Sequence, residues 1–172
     1  MIDYRPTIES DHADVEALLD KAFGPDRQEK TAYRLREGVA PIAALSLVAE
    51  EGSTLRGTIS YWPIIISDQQ GRQRRALMLG PLAVDPDYRG SGIGIELMQR
   101  TLDHAARLGH DLVILVGDLD YYSRVGFSRD GTDQLRMPGP VDQKRVLRKN
   151  LAPSGEGPLV GTIARAMSEP VD

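Results

Sequence analysis

Cysteine is absent from the 172 residues, which removes disulfides, Cys-ligated zinc and a thiol nucleophile from consideration. It fits a reducing compartment, and the expected location is cytoplasmic. A basic leader followed by an apolar run is also missing. The chain opens Met1-Ile2-Asp3-Tyr4-Arg5, and no secretory signal is expected. No segment approaches the ~20 apolar residues of a membrane span, so no membrane partner is expected. Positive charge is not in excess either. The formal net charge is −4 and the pI about 5.4, which argues against the broad basic surface of a nucleic-acid binder. The basic clusters Arg72–Arg75 and Lys144–Lys149 sit beside apolar runs and read as solvated charges. His12, His104 and His110 show no metal-ligand spacing, and no Ser/His/Asp order stands out.

What remains is an ordinary globular composition, 41% hydrophobic and 27% charged. The length suits a single domain over 1–172, with a core at roughly 2–151 and a frayed tail at 169–172. No internal repeat interrupts it. Ile2–Pro6 reads as a strand. Asp11 is placed to cap a helix over Ala13–Phe23, with Val15, Leu18, Leu19 and Ala22 at helical spacing. Arg27–Glu37 reads as a second helix, stopped by Gly38. Leu45–Glu50 and Leu55–Ser67 then form a hairpin, and Arg74–Val84 extends it to a meander. Gly92–Leu108 is a helix, Leu112–Val116 a strand covered on both faces, and Asp120–Val125 a short helix. Strands are expected from Phe127 onward and over Arg145–Leu151, with a loop at Pro153–Pro158. The crossover from Arg74–Val84 through a helix to Leu112–Val116 implies a parallel pair. The expectation is an α+β (mixed α/β) fold with one mixed, mostly antiparallel sheet of six or seven strands.

The chemistry concentrates in Leu79-Gly80-Pro81-Leu82-Ala83-Val84-Asp85-Pro86-Asp87-Tyr88-Arg89-Gly90-Ser91-Gly92-Ile93-Gly94. A strand ends, turns, and opens through glycines into a helix. The first helical turn leaves N–H groups unpaired, the helix dipole adds partial positive charge, and Arg89 adds a permanent cation. Gly90, Gly92 and Gly94 keep side chains away from those amides. This is an anion site suited to phosphate or pyrophosphate. It is neither a Walker loop nor the dinucleotide fingerprint, because no Gly-Lys-Ser/Thr follows and the spacing is Gly-x-Gly-x-Gly.

Arg89-Gly90-Ser91-Gly92-Ile93-Gly94 resembles motif A of the GCN5-related N-acetyltransferases (GNAT), Arg/Gln-x-x-Gly-x-Gly/Ala. Asp120-Tyr121-Tyr122-Ser123-Arg124-Val125-Gly126-Phe127 is similar to that family's aromatic-Tyr-x-x-x-Gly-Phe segment. The form beginning at Gly117-Asp118 further resembles the bacterial YhbS-like branch. The resemblance spans about Ile2 to Leu151 and is closest from Met78 to Phe127. It implies a three-layer fold whose parallel strand pair splays apart, acetyl-coenzyme A as acyl donor, and an amine-bearing small molecule or peptide as acceptor. It also implies that the loop amides of Arg89, Gly90, Ser91, Gly92, Ile93 and Gly94 hold the diphosphate. Leu82, Ala83 and Val84 would offer backbone to the pantetheine arm, and Tyr122 would be the general acid. Tyr121 reads as a core aromatic. Dimers are common among such lookalikes, so a homodimer is an expectation of resemblance alone.

The match is incomplete at the general base. Relatives often carry a glutamate near the position of Met78, where this chain has Met78-Leu79-Gly80-Pro81-Leu82. Glu50, Glu51, Asp85 and Asp118 lie near strand ends, with surface solvation the plainer reading for each, and a water chain is another route. Trp62, Tyr61 and Pro63 divide between acceptor pocket and core. The acceptor site is expected among the loops after Phe23, around Trp62 and after Leu135. An active N-acetyltransferase and a non-catalytic acyl-coenzyme A-binding module both stay open, as does an unrelated nucleotide-binding fold.

Overall fold

The computed structural model describes residues 1–166; the tail expected to fray at 169–172 lies outside the described residues. In chain order the elements are β1 (Asp3–Pro6), α1 (His12–Phe23), β2 (Leu47–Glu51), β3 (Thr54–Ser67), β4 (Gln73–Val84), α2 (Ile93–Arg107), β5 (Leu112–Val116), α3 (Leu119–Tyr122), β6 (Gln134–Arg136), β7 (Val146–Asn150) and β8 (Val160–Arg165). Short 3-10 turns join several of them. No helix among the described residues is long and apolar enough to cross a membrane.

The strands form one mixed sheet in the order β1-β2-β3-β4-β5-β7, with β8 on the far half of β3 and β6 beside β8. It has eight strands rather than the six or seven expected. The β2–β3–β4 meander is antiparallel, and β4 runs parallel to β5. Period-2 alternation along β4 divides the core. Leu77 and Leu79 face the layer of α2, with Leu97, Met98 and Ala105. Ala76 and Met78 face the opposite layer, with Ile114, Leu135 and Met137. On that side α1 lays Leu18 and Leu19 against Val48, Leu55 and Ala83.

Asp11 precedes α1, but its carboxylate does not cap the helix. It takes two 2.8 Å bonds from the Arg5 guanidinium, which holds it below the ordinary carboxylate pKa. Arg27–Glu37 is not a helix. It forms two 3-10 turns, Arg27–Glu29 and Thr31–Leu35, separated by extended Lys30. Side chains there serve distant partners: Arg27 bonds Asp20 and Glu16, and Thr31 and Arg34 bond the carbonyls of Pro140 and Pro138. The strand expected from Phe127 shrinks to one bridge, Ser128 to Arg148. Arg148, read as a solvated charge, is buried on β7 and donates to the carbonyls of Gly155 and Gly157.

α2 comes close to the sheet over Gly57. A Cβ there would lie 2.7 Å from Ile93 Cγ2 and 3.0 Å from Leu97 Cδ1. Gly57→Ala is therefore expected to cost about 1–3 kcal/mol by overpacking. For a chain of this size that is a fall in Tm of about 2–4 °C per kcal/mol, to be read by calorimetry. An unchanged Tm would show that α2 is free to move outward.

Candidate functional site

β4 and β5 pair at only two positions, Leu77 with Val113 and Met78 with Ile114. Beyond them β4 runs on to Val84 and β5 to Val116 without meeting. A β-bulge marks the parting. On β3 the register passes from Ile59–Leu82 to Tyr61–Leu79, so Gly80 and Pro81, joined by a cis peptide, stand opposite Ser60. A bulge bends its strand and re-aims what lies beyond. Trp62 Nε1 donates to the Gly80 carbonyl at 2.6 Å and fixes the bend. The gap opens into a cavity of about 570 Å³, walled by Met78 to Leu82, by the end of β5 with Asp118, by Tyr121 and Tyr122, and by segments 23–36 and 137–145.

At the end of β4, Asp85 accepts the Asp87 N–H at 3.1 Å and bonds Lys21 at 3.0 Å and Arg56 at 2.9 Å. The amide first, and the two cations, hold its carboxyl below the ordinary range. Asp85 is thus buried and structural, neither a solvated charge nor a base. A 3-10 turn, Pro86–Tyr88, leads to exposed Arg89. Gly90 (φ 79°) and Gly92 (φ 88°) both take the left-handed conformation that glycine alone adopts readily. The first α2 bond runs from Glu96 N–H to the Gly92 carbonyl, and Ser91 N–H is taken by Tyr88. Among the described residues no acceptor takes the N–H of Gly90, Gly92, Ile93, Gly94 or Ile95. Successive free amides at a helix start form an anion-binding concavity. The Ile93 side chain is buried in the core, so only its main chain is offered.

Gly94 has a second reason to be glycine. Its Cβ would fall 2.2 Å from the Tyr121 hydroxyl. Tyr121, read as a core aromatic, does pack on the core, yet it also walls the cavity and ties α3 to the loop. Gly117 does the same for Tyr122, since a Cβ there would lie 2.3 Å from ring Cε2. Tyr122 stands edge-on to Tyr121 at 5.0 Å and to Phe127 at 6.1 Å. Burial pushes its hydroxyl up to about 12. It faces the same cavity as Leu82. Ala83 is buried under α1, so it and Val84 can reach a ligand only through the open edge of β4.

Tyr61 is not a pocket residue. It is fully buried, with its hydroxyl 2.7 Å from Thr101 Oγ1. Trp62 stands behind the wall, not in it. Glu50 is bonded to Arg5 and Glu51 to Tyr88, so of the four carboxylates weighed as bases only Asp118 lines the cavity. Its nearest cation is Arg145, at 3.9 Å. Met78 is fully buried. Arg36, Asp142 and Arg145 also line the cavity; no spacing in the sequence singles them out. Among the described residues no cluster of His, Asp and Glu could hold a metal.

Residues 3–129 match the family model described as an acetyltransferase (GNAT) domain. The N-acetyltransferase YhbS of Escherichia coli K12 is 30% identical over 159 residues, covering 92% of this chain and 93% of its own. The crystal structure of Escherichia coli YhbS in complex with CoA superposes with a TM-score of 0.78 at 29% identity, covering 96% of this chain and 89% of that one. A GNAT acetyltransferase of Brucella melitensis, solved with acetyl-CoA, gives 0.70 at 25% identity, covering 96% of each. With the split strand pair, the amide-lined helix start and the paired tyrosines in one arrangement, the chain belongs to the GNAT family of N-acetyltransferases.

Proposed function

We propose that this chain moves an acetyl group from acetyl-CoA to the amine of a small molecule or peptide by direct attack on the thioester. The observation that carries the reading is the parting of β4 from β5 after Met78 and Ile114, with the cavity in the gap and free amides at the start of the helix that follows β4. The amides of Gly90, Gly92, Ile93 and Gly94 bind the diphosphate, with Arg89 and the Ser91 hydroxyl beside them. The unpaired edge of β4 over Leu82, Ala83 and Val84 receives the pantetheine amides as an added strand would be received. CoA in the YhbS structure and acetyl-CoA in the Brucella structure support this ligand.

The chemistry then needs few groups. A neutral amine forms the C–N bond at the thioester carbonyl, whose oxygen becomes an oxyanion. A main-chain N–H of the Leu82–Val84 edge stabilises that charge. Collapse breaks the C–S bond, and the Tyr122 hydroxyl gives its proton to the leaving thiolate. The proton lost by the amine passes to solvent, with Asp118, one of the two carboxylates on the cavity wall, to relay it, and Tyr122 is reprotonated from the same pool. With Met78 in the wall, no carboxylate of β4 takes part.

The test is a panel of amines with acetyl-CoA and a thiol-reactive chromogen. At least one amine is expected to release thiol well above the rate of thioester hydrolysis. Binding of acetyl-CoA by calorimetry with no amine-dependent release would make the chain an acyl-CoA-binding module instead. No binding at millimolar acetyl-CoA would remove the reading altogether.

A further inference from the structure

Arg36 lines the cavity and is the cation there whose guanidinium is left partly unpartnered, the Tyr33 side chain offsetting only some of the cost of its burial. Its Nε and Nη1 are buried without a hydrogen-bond partner, and no carboxylate among the described residues pairs with it. The other cavity cations are accounted for. Arg27 is held by Asp20, Glu16 and the Tyr33 hydroxyl. Arg145 lies 3.9 Å from Asp118, and Lys30 is exposed to solvent over the Phe23 ring. Burial lowers the Arg36 pKa to about 10, so it keeps its charge at neutral pH. A largely buried cation without a counter-ion is costly, and such a group is normally paired.

Its surroundings hold it in place and leave Nε and Nη1 unsatisfied. The guanidinium carbon lies 4.3 Å from the Tyr33 ring centre and 5.7 Å from that of Trp62. Those cation–π contacts use none of the N–H donors, and the open pair, Nε and Nη1, is a fork that matches a carboxylate or phosphate. One end reaches the bulge of β4. A Cβ on Gly80 would stand 3.1 Å from Nη2, and Trp62 bonds the Gly80 carbonyl. The guanidinium therefore sits where the strands part. A positive wall there also favours the neutral form of an incoming amine, because like charge disfavours the ammonium.

We propose that the acceptor is a small amine that also bears an oxyanion, a carboxylate or a phosphate, and that Arg36 binds that oxyanion. This rests on the acetyl-transfer reading and narrows it to a substrate class. Arg36 is then a specificity residue and leaves CoA binding untouched.

The test compares free L-amino acids with their C-terminal amides, and phosphoethanolamine with ethanolamine, in the thiol-release assay. It is paired with fluorescence titration of the CoA-saturated protein, because Trp62 is the one tryptophan and stacks on Arg36. Members that bear the oxyanion are expected to be preferred at least tenfold in kcat/KM. A preference within the first pair assigns a carboxylate, and within the second a phosphate. Arg36→Gln should raise acceptor KM at least tenfold with little change in kcat or in KM for acetyl-CoA, should level the two members of a pair, and should mute the fluorescence response. Arg36→Lys should restore part of the preference, and its normal acetyl-CoA binding controls for folding. A fluorescence response to the oxyanion-bearing members without thiol release would keep the oxyanion site and refute acetyl transfer to them. Equal use of members with and without the oxyanion, equal losses for both in Arg36→Gln, or neither response nor release with any oxyanion-bearing member would overturn the proposal.

Discussion

Tyr122→Phe is expected to lower kcat by about 10²–10³-fold, within the range for loss of a positioned proton donor, and to leave the affinity for acetyl-CoA within about twofold, since an interaction made only in the transition state is what is removed. The ring's place is fixed by Gly117, Tyr121 and Phe127, and phenylalanine keeps all of those contacts. Only the hydroxyl goes. The pH profile carries the sign. Burial raises the Tyr122 pKa to about 12, so the acid form persists through the whole alkaline range in which an acceptor amine loses its proton. The wild-type rate should climb with pH as the amine deprotonates and show no falling limb from Tyr122 below about pH 11. In Tyr122→Phe the climb should remain at the lower level. Rates equal to wild type would take the acid role from Tyr122, and a wild-type falling limb near pH 9 would contradict its raised pKa.

The parts of this molecule that could be read from the sequence are those where local chemistry and tertiary structure agree. The stretch from Leu79 to Gly94 announces a strand, a turn and an amide-rich helix start because glycine at 90 and 92 answers a backbone requirement that no other residue meets cheaply. The short helix with Tyr122 was legible from its Gly-Phe stop. What failed was tertiary. Segment 27–37 has helical composition, but Arg27, Thr31 and Arg34 are drawn to Asp20, Pro140 and Pro138 and break it into 3-10 turns. β8 went unread because only Ile163 of its six residues is buried, and Gly161 interrupts its pattern. Asp85 looked like a surface carboxylate, since Lys21 and Arg56 come to it from 64 and 29 residues away. Gly94 was explained by the ligand alone, yet the Tyr121 hydroxyl fills the space its side chain would need. Arg36 carries no local signature at all. Its meaning comes from Tyr33, Trp62 and Gly80 converging on it.

Arg89→Glu is expected to weaken acetyl-CoA binding by about 100-fold while kcat at saturating donor stays close to wild type. Arg89 is exposed at the mouth of the glycine loop and makes no ion pair among the described residues, so its charge is available to an anion. A charge-assisted hydrogen bond is worth about 1.5–3 kcal/mol, and each 1.4 kcal/mol is tenfold in affinity. Reversal adds repulsion between a carboxylate and the diphosphate. Arg89→Gln should lose less, about tenfold, because the free amides of Gly90 and of Gly92 to Ile95 and the helix dipole remain. Because the site is exposed, salt should matter: the gap between wild type and Arg89→Gln should narrow as ionic strength rises through about 0.15 M, where the screening length is ~8 Å. Calorimetry at two salt concentrations reads all of this directly. The two substitutions then separate the halves of the site, one acting on binding with turnover preserved and the other on turnover with binding preserved. If Arg89→Glu instead bound acetyl-CoA normally, the diphosphate would lie away from residues 89–94, and the role of the open β4 edge would fall with it.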